Sequence, residues 1–205
     1  LKIFKFILYL SLIENYLLIK SSNAFFPKVN EPTQEELKFT SIQIGRSAIQ
    51  LIQFGQHDEA IKLLKLALKL NPKESDLWLS LAEAQIRSNK KDEALYSLNK
   101  AIKLKPKEQN IYFTKASIYM DLKNPEKAKI YINKGLSINK NNAKGYFQLG
   151  NAEIMLNNYQ SAIIAFNKSA EIDSNFWQSI NNEGLILYEL NNPIEAISKF
   201  KLALK

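Results

Sequence analysis

Residues 75–108 read SDLWLSLAEAQIRSNKKDEALYSLNKAIKLKPKE, and this stretch decides the fold because its pattern recurs along the chain. Alanines stand 34 residues apart at Ala60, Ala94, Ala128, Ala162 and Ala196, and no gap is needed to align them. A fixed period of this length is the signature of a repeat protein, in which each unit is one supersecondary motif. The sequence therefore predicts a stack of similar units.

Two further series keep the same register as the alanines. A large apolar residue follows each alanine by four positions, at Leu64, Leu98, Ile132, Phe166 and Phe200. A small residue precedes each alanine by twelve positions, at Ala48, Ala82, Ala116, Gly150 and Gly184. Small side chains let two helices approach closely, and the large ones fill the space between neighbouring helices. The pattern thus predicts two packed helices in every unit.

This pattern resembles the tetratricopeptide repeat, whose period is 34 residues. The residues of the second unit that carry the resemblance are Trp78, Leu81, Ala82, Ala94, Leu98, Ala101 and Pro106. Five units follow from it: 41–74, 75–108, 109–142, 143–176 and a truncated 177–205. The resemblance implies an all-α fold, a right-handed α-solenoid of antiparallel helix pairs. Lys140 and Ser174 depart from the pattern, since they stand where proline is usual.

The turns between the two helices of a unit also recur. Asn89, Asn157 and Asn191 stand there, and Asn tolerates the left-handed conformation that ends many helices and can cap the next helix. Pro125 and Pro193 are predicted in the first turn of the following helix, where no amide donor is required.

The first 24 residues differ from the rest of the chain. A basic start at Lys2 and Lys5, an apolar run and the small residues 22–24 form the three parts of a secretory signal peptide. A retained N-terminal membrane segment and a helix packed on the solenoid are the alternatives. Residues 25–40 are read as a lead segment and the start of the first helix, with a capping box from Thr33 to Glu36. We therefore expect an exported (periplasmic or thylakoid lumenal) or membrane-anchored protein.

The composition offers little for catalysis or metal binding. The chain has no cysteine, its one histidine, His57, is predicted in a solvated turn, and no common catalytic or nucleotide-binding motif occurs. The net charge is +8, but only Arg46 and Arg87 are arginines. Nucleic-acid surfaces more usually carry clustered arginine with aromatic residues. We therefore expect a protein that is not an enzyme, needs no cofactor and does not bind nucleic acid.

The resemblance places a concave binding groove on the first helix of each unit. The groove residues carried over are Leu79, Glu83, Ile86, Phe113, Ser117, Met120, Phe147, Asn151, Ile154, Asn181 and Tyr188. Leu79, Phe113 and Phe147 hold equivalent positions, which predicts an apolar groove, although some of these side chains could belong to the core. The residues at the positions of the family's carboxylate clamp do not fit that mode of binding.

These observations favour a scaffold or assembly factor that binds a protein or peptide through an apolar segment. The low-GC composition and the leader resemble small cyanobacterial repeat proteins, and related proteins help to assemble photosystem I. The alternative is the regulatory arm of a larger enzyme, such as a glycosyltransferase. Ile197, Phe200, Leu202 and Leu204 lie on the last helix, which no polar cap follows. Continuation of the chain, a partner or oligomerisation would each cover that helix.

Overall fold

In a computed structural model, residues 32–204 are described, and they contain ten α-helices. The helices are α1 (Gln34–Gln53), α2 (His57–Leu70), α3 (Ser75–Arg87), α4 (Lys91–Leu104), α5 (Gln109–Asp121), α6 (Pro125–Ile138), α7 (Ala143–Met155), α8 (Tyr159–Ile172), α9 (Trp177–Glu189) and α10 (Pro193–Ala203). The predicted all-α solenoid of antiparallel helix pairs is confirmed. The predicted leader, residues 1–24, lies outside the described residues. None of the helices described is long and apolar enough to cross a membrane.

Packing follows the order of the chain. The most extensive contacts join helices that are consecutive in sequence, and first helices of neighbouring units such as α5 and α7 also meet across an intervening helix. The first and third helices meet where Gly45 lies beside Leu77. Each unit is therefore held mainly by the units before and after it, as in other solenoids.

The turn between the two helices of a unit has the same geometry in all five units. Its left-handed residues are Gly55, Asn89, Lys123, Asn157 and Asn191, again 34 residues apart, with φ between 54° and 77°. The amides of the left-handed residue and of the residue after it donate to carbonyls in the last turn of the preceding helix, which is the pattern of a Schellman motif. In the second unit, Asn89 N donates to Ile86 O at 3.0 Å and Lys90 N donates to Gln85 O at 2.8 Å.

The start of the second helix varies more than the turn. Pro125 and Pro193 are the first residues of α6 and α10, as predicted. The side chain of Asn124 caps α6 by accepting a hydrogen bond from the amide of Lys127 at 3.1 Å. Asn158 and Asn192 stand at the same position but make no such cap. The capping role of these asparagines thus differs from unit to unit.

The small residue of the first helix and the large residue of the second are matched in volume. In the fourth unit a Cβ on Gly150 would lie 2.5 Å from the Phe166 ring, and in the fifth a Cβ on Gly184 would lie 2.7 Å from the Phe200 ring. The first three units instead pair alanine with leucine or isoleucine, as in Ala82 with Leu98. Glycine is present where phenylalanine fills the helix–helix interface.

Candidate functional site

Two cavities lie between the first helices of neighbouring units. The first, of about 650 Å³, is formed mainly by α3 and α5. It contains Leu79, Glu83 and Ile86 of the predicted groove, together with the carboxylates of Asp76 and Glu108. This part of the groove therefore combines the predicted apolar surface with carboxylates.

Ion pairs partly neutralise the carboxylates of this first cavity. Lys105 Nζ donates to Asp76 Oδ1 at 2.7 Å, and Arg87 Nη2 lies 3.0 Å from Glu83 Oε1. Burial of these pairs is slight, so each contributes on the order of 0–1 kcal/mol to stability. The pairs therefore shape the charge of the cavity more than they stabilise the fold.

The second cavity, of about 470 Å³, lies between α5 and α7 and is more aromatic. It brings together Ser117, Met120, Phe147 and Asn151 of the predicted groove, and it adds Phe176 from the loop before α9. The Phe147 ring packs on Phe176 at 5.2 Å between centroids and on the buried ring of Phe166 at 5.7 Å. The sequence analysis did not predict Phe176 as a groove residue. The family's groove positions lie on the first helix of each unit, whereas Phe176 precedes that helix.

Phe113 is not a groove residue, although the family pattern placed it there. It is only 5% exposed and belongs to the core with Ile132 and Leu136. Its ring fills the space left by two glycines, since a Cβ on Gly135 or Gly145 would lie within 2.8 Å of it. The predicted apolar row from Leu79 to Phe147 is therefore interrupted.

The remaining predicted residues line neither cavity. Ile154 is partly buried against the core formed by Ala162, Phe166 and Ile186. Asn181 is half-buried, whereas Tyr188 is 65% exposed.

Polar side chains link the first helices of the last three units. Gln148 Nε2 donates to Ser117 Oγ at 2.8 Å, and Asn182 Nδ2 donates to Asn151 Oδ1 at 3.1 Å. Gln148 Oε1 is buried, but no donor among the described residues reaches it. A buried acceptor without a partner is costly. The second cavity thus combines aromatic surface with the polar side chains of Ser117, Gln148 and Asn151.

Two buried carboxylates of the last units form ion pairs with lysines of neighbouring helices. Lys129 Nζ lies 2.6 Å from Glu153 Oε1, and Asn158 donates a further hydrogen bond to the same carboxylate. Lys199 Nζ lies 2.7 Å from Glu183 Oε2. Each buried carboxylate therefore has a cation at contact distance, as burial of a charge requires.

His57 is placed differently from the prediction. It is the first residue of α2 rather than a turn residue, it is half-buried, and its Nδ1 atom is buried. Within residues 32–204, no group of three or more His, Asp or Glu side chains is arranged to hold a metal ion.

Paired helices in strict register, with cavities between the first helices, define a tetratricopeptide-repeat fold. Three family models, each described as a tetratricopeptide repeat, match residues 51–95, 109–142 and 143–176. Together they span more than half of the chain, which belongs to the tetratricopeptide-repeat family. Proteins of this fold are typically interaction scaffolds for other proteins.

Several solved structures share this fold. The crystal structure of MamA aligns with a TM-score of 0.71 and 24% identity, over 77% of this chain and 92% of MamA. PilF of Pseudomonas aeruginosa aligns with a TM-score of 0.71 and 18% identity, over 83% of this chain and 77% of PilF. YrrB, described as a repeat protein with an unusual peptide-binding site, aligns with a TM-score of 0.65 and 18% identity, over 80% of this chain and 84% of YrrB. No curated protein sequence matches the chain.

Proposed function

We propose that this protein is a non-catalytic scaffold whose concave groove binds an apolar segment of a protein partner at the second cavity. The observation that carries the proposal is the juxtaposition of Met120, Phe147 and Phe176 with the polar side chains of Gln148 and Asn151 in one cavity. Apolar side chains of the segment would pack on the aromatic rings. Hydrogen bonds between the polar side chains of this cavity and the backbone of the segment would favour a polypeptide over a purely apolar ligand.

The first cavity extends the same groove and adds selectivity. Its carboxylates, Asp76, Glu83 and Glu108, would attract a basic residue of the same segment, whereas an acidic residue there would be repelled. We therefore propose that the preferred segment is apolar at one end and basic at the other.

A peptide-display selection on the full chain tests this proposal. Selected peptides are expected to carry large apolar residues, with lysine or arginine to one side. Phe147→Ala and Met120→Ala, made together, are expected to weaken binding about ten-fold or more, because two apolar contacts are lost. Circular dichroism would verify that the double variant has the same helicity as the wild type.

Tyr188→Ala provides the matched control. This side chain belongs to the predicted groove but lines neither cavity, so its removal is expected to leave peptide binding unchanged. Unchanged affinity in the folded Met120/Phe147 double variant would refute the proposal.

Export and a role in assembly also remain proposals, and they rest on the sequence of residues 1–24. Fusing residues 1–40 to a reporter enzyme that is active only outside the cytoplasm would test export. Mass spectrometry of the purified protein would show whether the chain starts at Phe25. An inactive fusion would argue against export.

A further inference from the structure

Four lysines of α4, α5 and α6 lie over tyrosine rings of the same three helices. We name the surface that they form the outer strip, and it consists of Tyr96, Lys100, Lys115, Tyr119, Lys127, Tyr131 and Lys134. The four ammonium groups lie 4.1–5.5 Å from the centroid of a strip tyrosine. The rings of Tyr119 and Tyr131 are stacked at 5.4 Å with an angle of 6° between their planes.

Lys115 is the unusual member of the strip. It is only 4% exposed, although leucine stands at the equivalent position one unit before and one unit after, at Leu81 and Leu149. Its Nζ atom lies 4.1 Å from the centroid of Tyr131 and donates a hydrogen bond to Asn99 Oδ1. Within residues 32–204, no ion pair joins Lys115 to a carboxylate.

A buried ammonium with a neutral partner is costly, since burial of a charge is compensated mainly by an opposite charge. The buried carboxylates of Glu153 and Glu183 both have that compensation. Lys115 instead contacts two uncharged side chains, Tyr131 and Asn99. Asn99 is an exposed residue of α4 whose side chain can rotate towards solvent. A carboxylate from another molecule could take the place of the Asn99 oxygen and would form the stronger, charge-assisted hydrogen bond.

The positive charges around Tyr131 also favour binding of a carboxylate. A hydrogen bond from Lys115 lowers the pKa of Tyr131, and the charges of Lys115, Lys134 and Lys127 add to this effect against the opposing influence of burial. Three ammonium groups therefore lie around Tyr131, and no carboxylate of residues 32–204 forms an ion pair with Lys115.

A cavity of about 510 Å³ adjoins the strip on the side of the second unit. Its apolar lining includes Leu68, Trp78, Leu81 and Tyr96, and the rings of Trp78 and Tyr96 meet edge to face at 6.2 Å. Its carboxylate, Glu93, already binds Lys65 at 3.3 Å. Tyr96 is one helical turn from Asn99 and Lys100 on α4, so this cavity and the Lys115 site share one helix.

We propose that the outer strip binds an acidic segment of a protein partner, with a carboxylate on Lys115 and an apolar or aromatic side chain in the cavity beside Trp78. The burial of Lys115 favours a protein segment over a membrane or a nucleic acid. Once the Asn99 side chain has rotated away, a single carboxylate side chain would reach Lys115, whereas a charged surface or a phosphate backbone would contact only the exposed lysines.

Fluorescence anisotropy with the full chain tests this inference. The probe is a fluorescein-labelled peptide of repeated Glu-Glu-Phe triplets, and the same peptide with Gln in place of Glu is its control. The acidic peptide is expected to bind and the amide peptide to bind at least about ten-fold more weakly. Lys115→Met should weaken binding of the acidic peptide by about ten-fold or more, while Lys168→Met, which removes an exposed lysine paired with Glu171, should not.

Asn99→Asp supplies a second, independent variant. It places a carboxylate where Asn99 Oδ1 now accepts from Lys115, so it should raise the melting temperature and weaken peptide binding at the same time. Lys115→Met should also remain folded, because an apolar side chain suits a position that leucine occupies in the neighbouring units. Phe147→Ala should leave this binding unchanged, which separates the outer strip from the concave groove.

Three results would overturn the inference: unchanged affinity in Lys115→Met and Asn99→Asp, equal binding of the Glu and Gln peptides, or no binding of the acidic peptide. A single-stranded DNA oligonucleotide and vesicles containing phosphatidylglycerol complete the test. Tighter binding to either of them, independent of Lys115, would assign the exposed lysines to a nucleic acid or a membrane instead.

Discussion

Gly150→Ala, combined with Phe166→Leu, tests whether the two helices of a unit are matched in volume. Alone, Gly150→Ala places a Cβ 2.5–2.7 Å from three atoms of the Phe166 ring, which is fully buried and has no room to move. Overpacking of this kind costs about 1–3 kcal/mol, and the better helix propensity of alanine returns about 1 kcal/mol. We therefore expect a net loss of about 1 kcal/mol. Alone, Phe166→Leu should cost about 1–2 kcal/mol through lost burial and a residual cavity.

The double variant should be far more stable than the sum of these losses predicts. It recreates the pairing of Ala82 with Leu98 in the second unit, so the added methyl occupies space that the ring has left. We expect its stability to lie within about 0.5 kcal/mol of the wild type, which corresponds to a favourable coupling of about 2 kcal/mol. Urea unfolding followed by circular dichroism at 222 nm measures all four proteins.

Gly150→Ala with Phe200→Leu is the matched control, since Phe200 faces Gly184 in the next unit. These two changes should be additive because the residues share no contact. Additive losses in the Gly150/Phe166 pair as well would refute the argument from volume.

Three further predictions concern turns and charges. Lys123→Gly should stabilise the protein by about 0.5–1 kcal/mol in urea unfolding, because Lys123 has a left-handed φ of 54°. Lys129→Met should cost about 3 kcal/mol by the same assay, because it leaves Glu153 buried without a cation, and adding Glu153→Leu should restore most of the loss. The hydrogen bond from Lys90 lowers the pKa of Asp58 below 3.8, so its stabilisation is present above about pH 4 and is lost as the pH falls through the lowered pKa. Asp58→Asn should therefore lower the melting temperature at neutral pH but not in strong acid.

Much of the fold could be predicted because the decisive residues act locally and repeat. The alanine series and the matched small and large residues specify helix pairing within each unit, and the turn asparagines specify where the first helix ends. Residue type alone would not predict the left-handed conformation of Lys123. Its position in the repeat does, because Lys123 is equivalent to Asn89 and Asn157.

The candidate site was harder to predict because it depends on neighbours distant in sequence. Phe113 was assigned to the groove from its position in the unit, yet Gly135 and Gly145, on two following helices, leave the space that buries its ring. Phe176 reaches the second cavity from a loop, where the helical pattern carries no information. Lys115 is recognisable in the sequence as a departure from the repeat, because leucine stands at this position in the neighbouring units. Only the structure shows that its ammonium group is buried.

The unit 109–142 contributes to both proposed surfaces at once. Its first helix supplies Ser117 and Met120 to the concave cavity, and the same unit supplies Lys115, Tyr119 and Tyr131 to the outer strip. Because the turns of neighbouring units have the same geometry, a genetic deletion of one 34-residue period would leave a junction that the solenoid already uses elsewhere. Loss or duplication of this segment during evolution would therefore alter the two surfaces together.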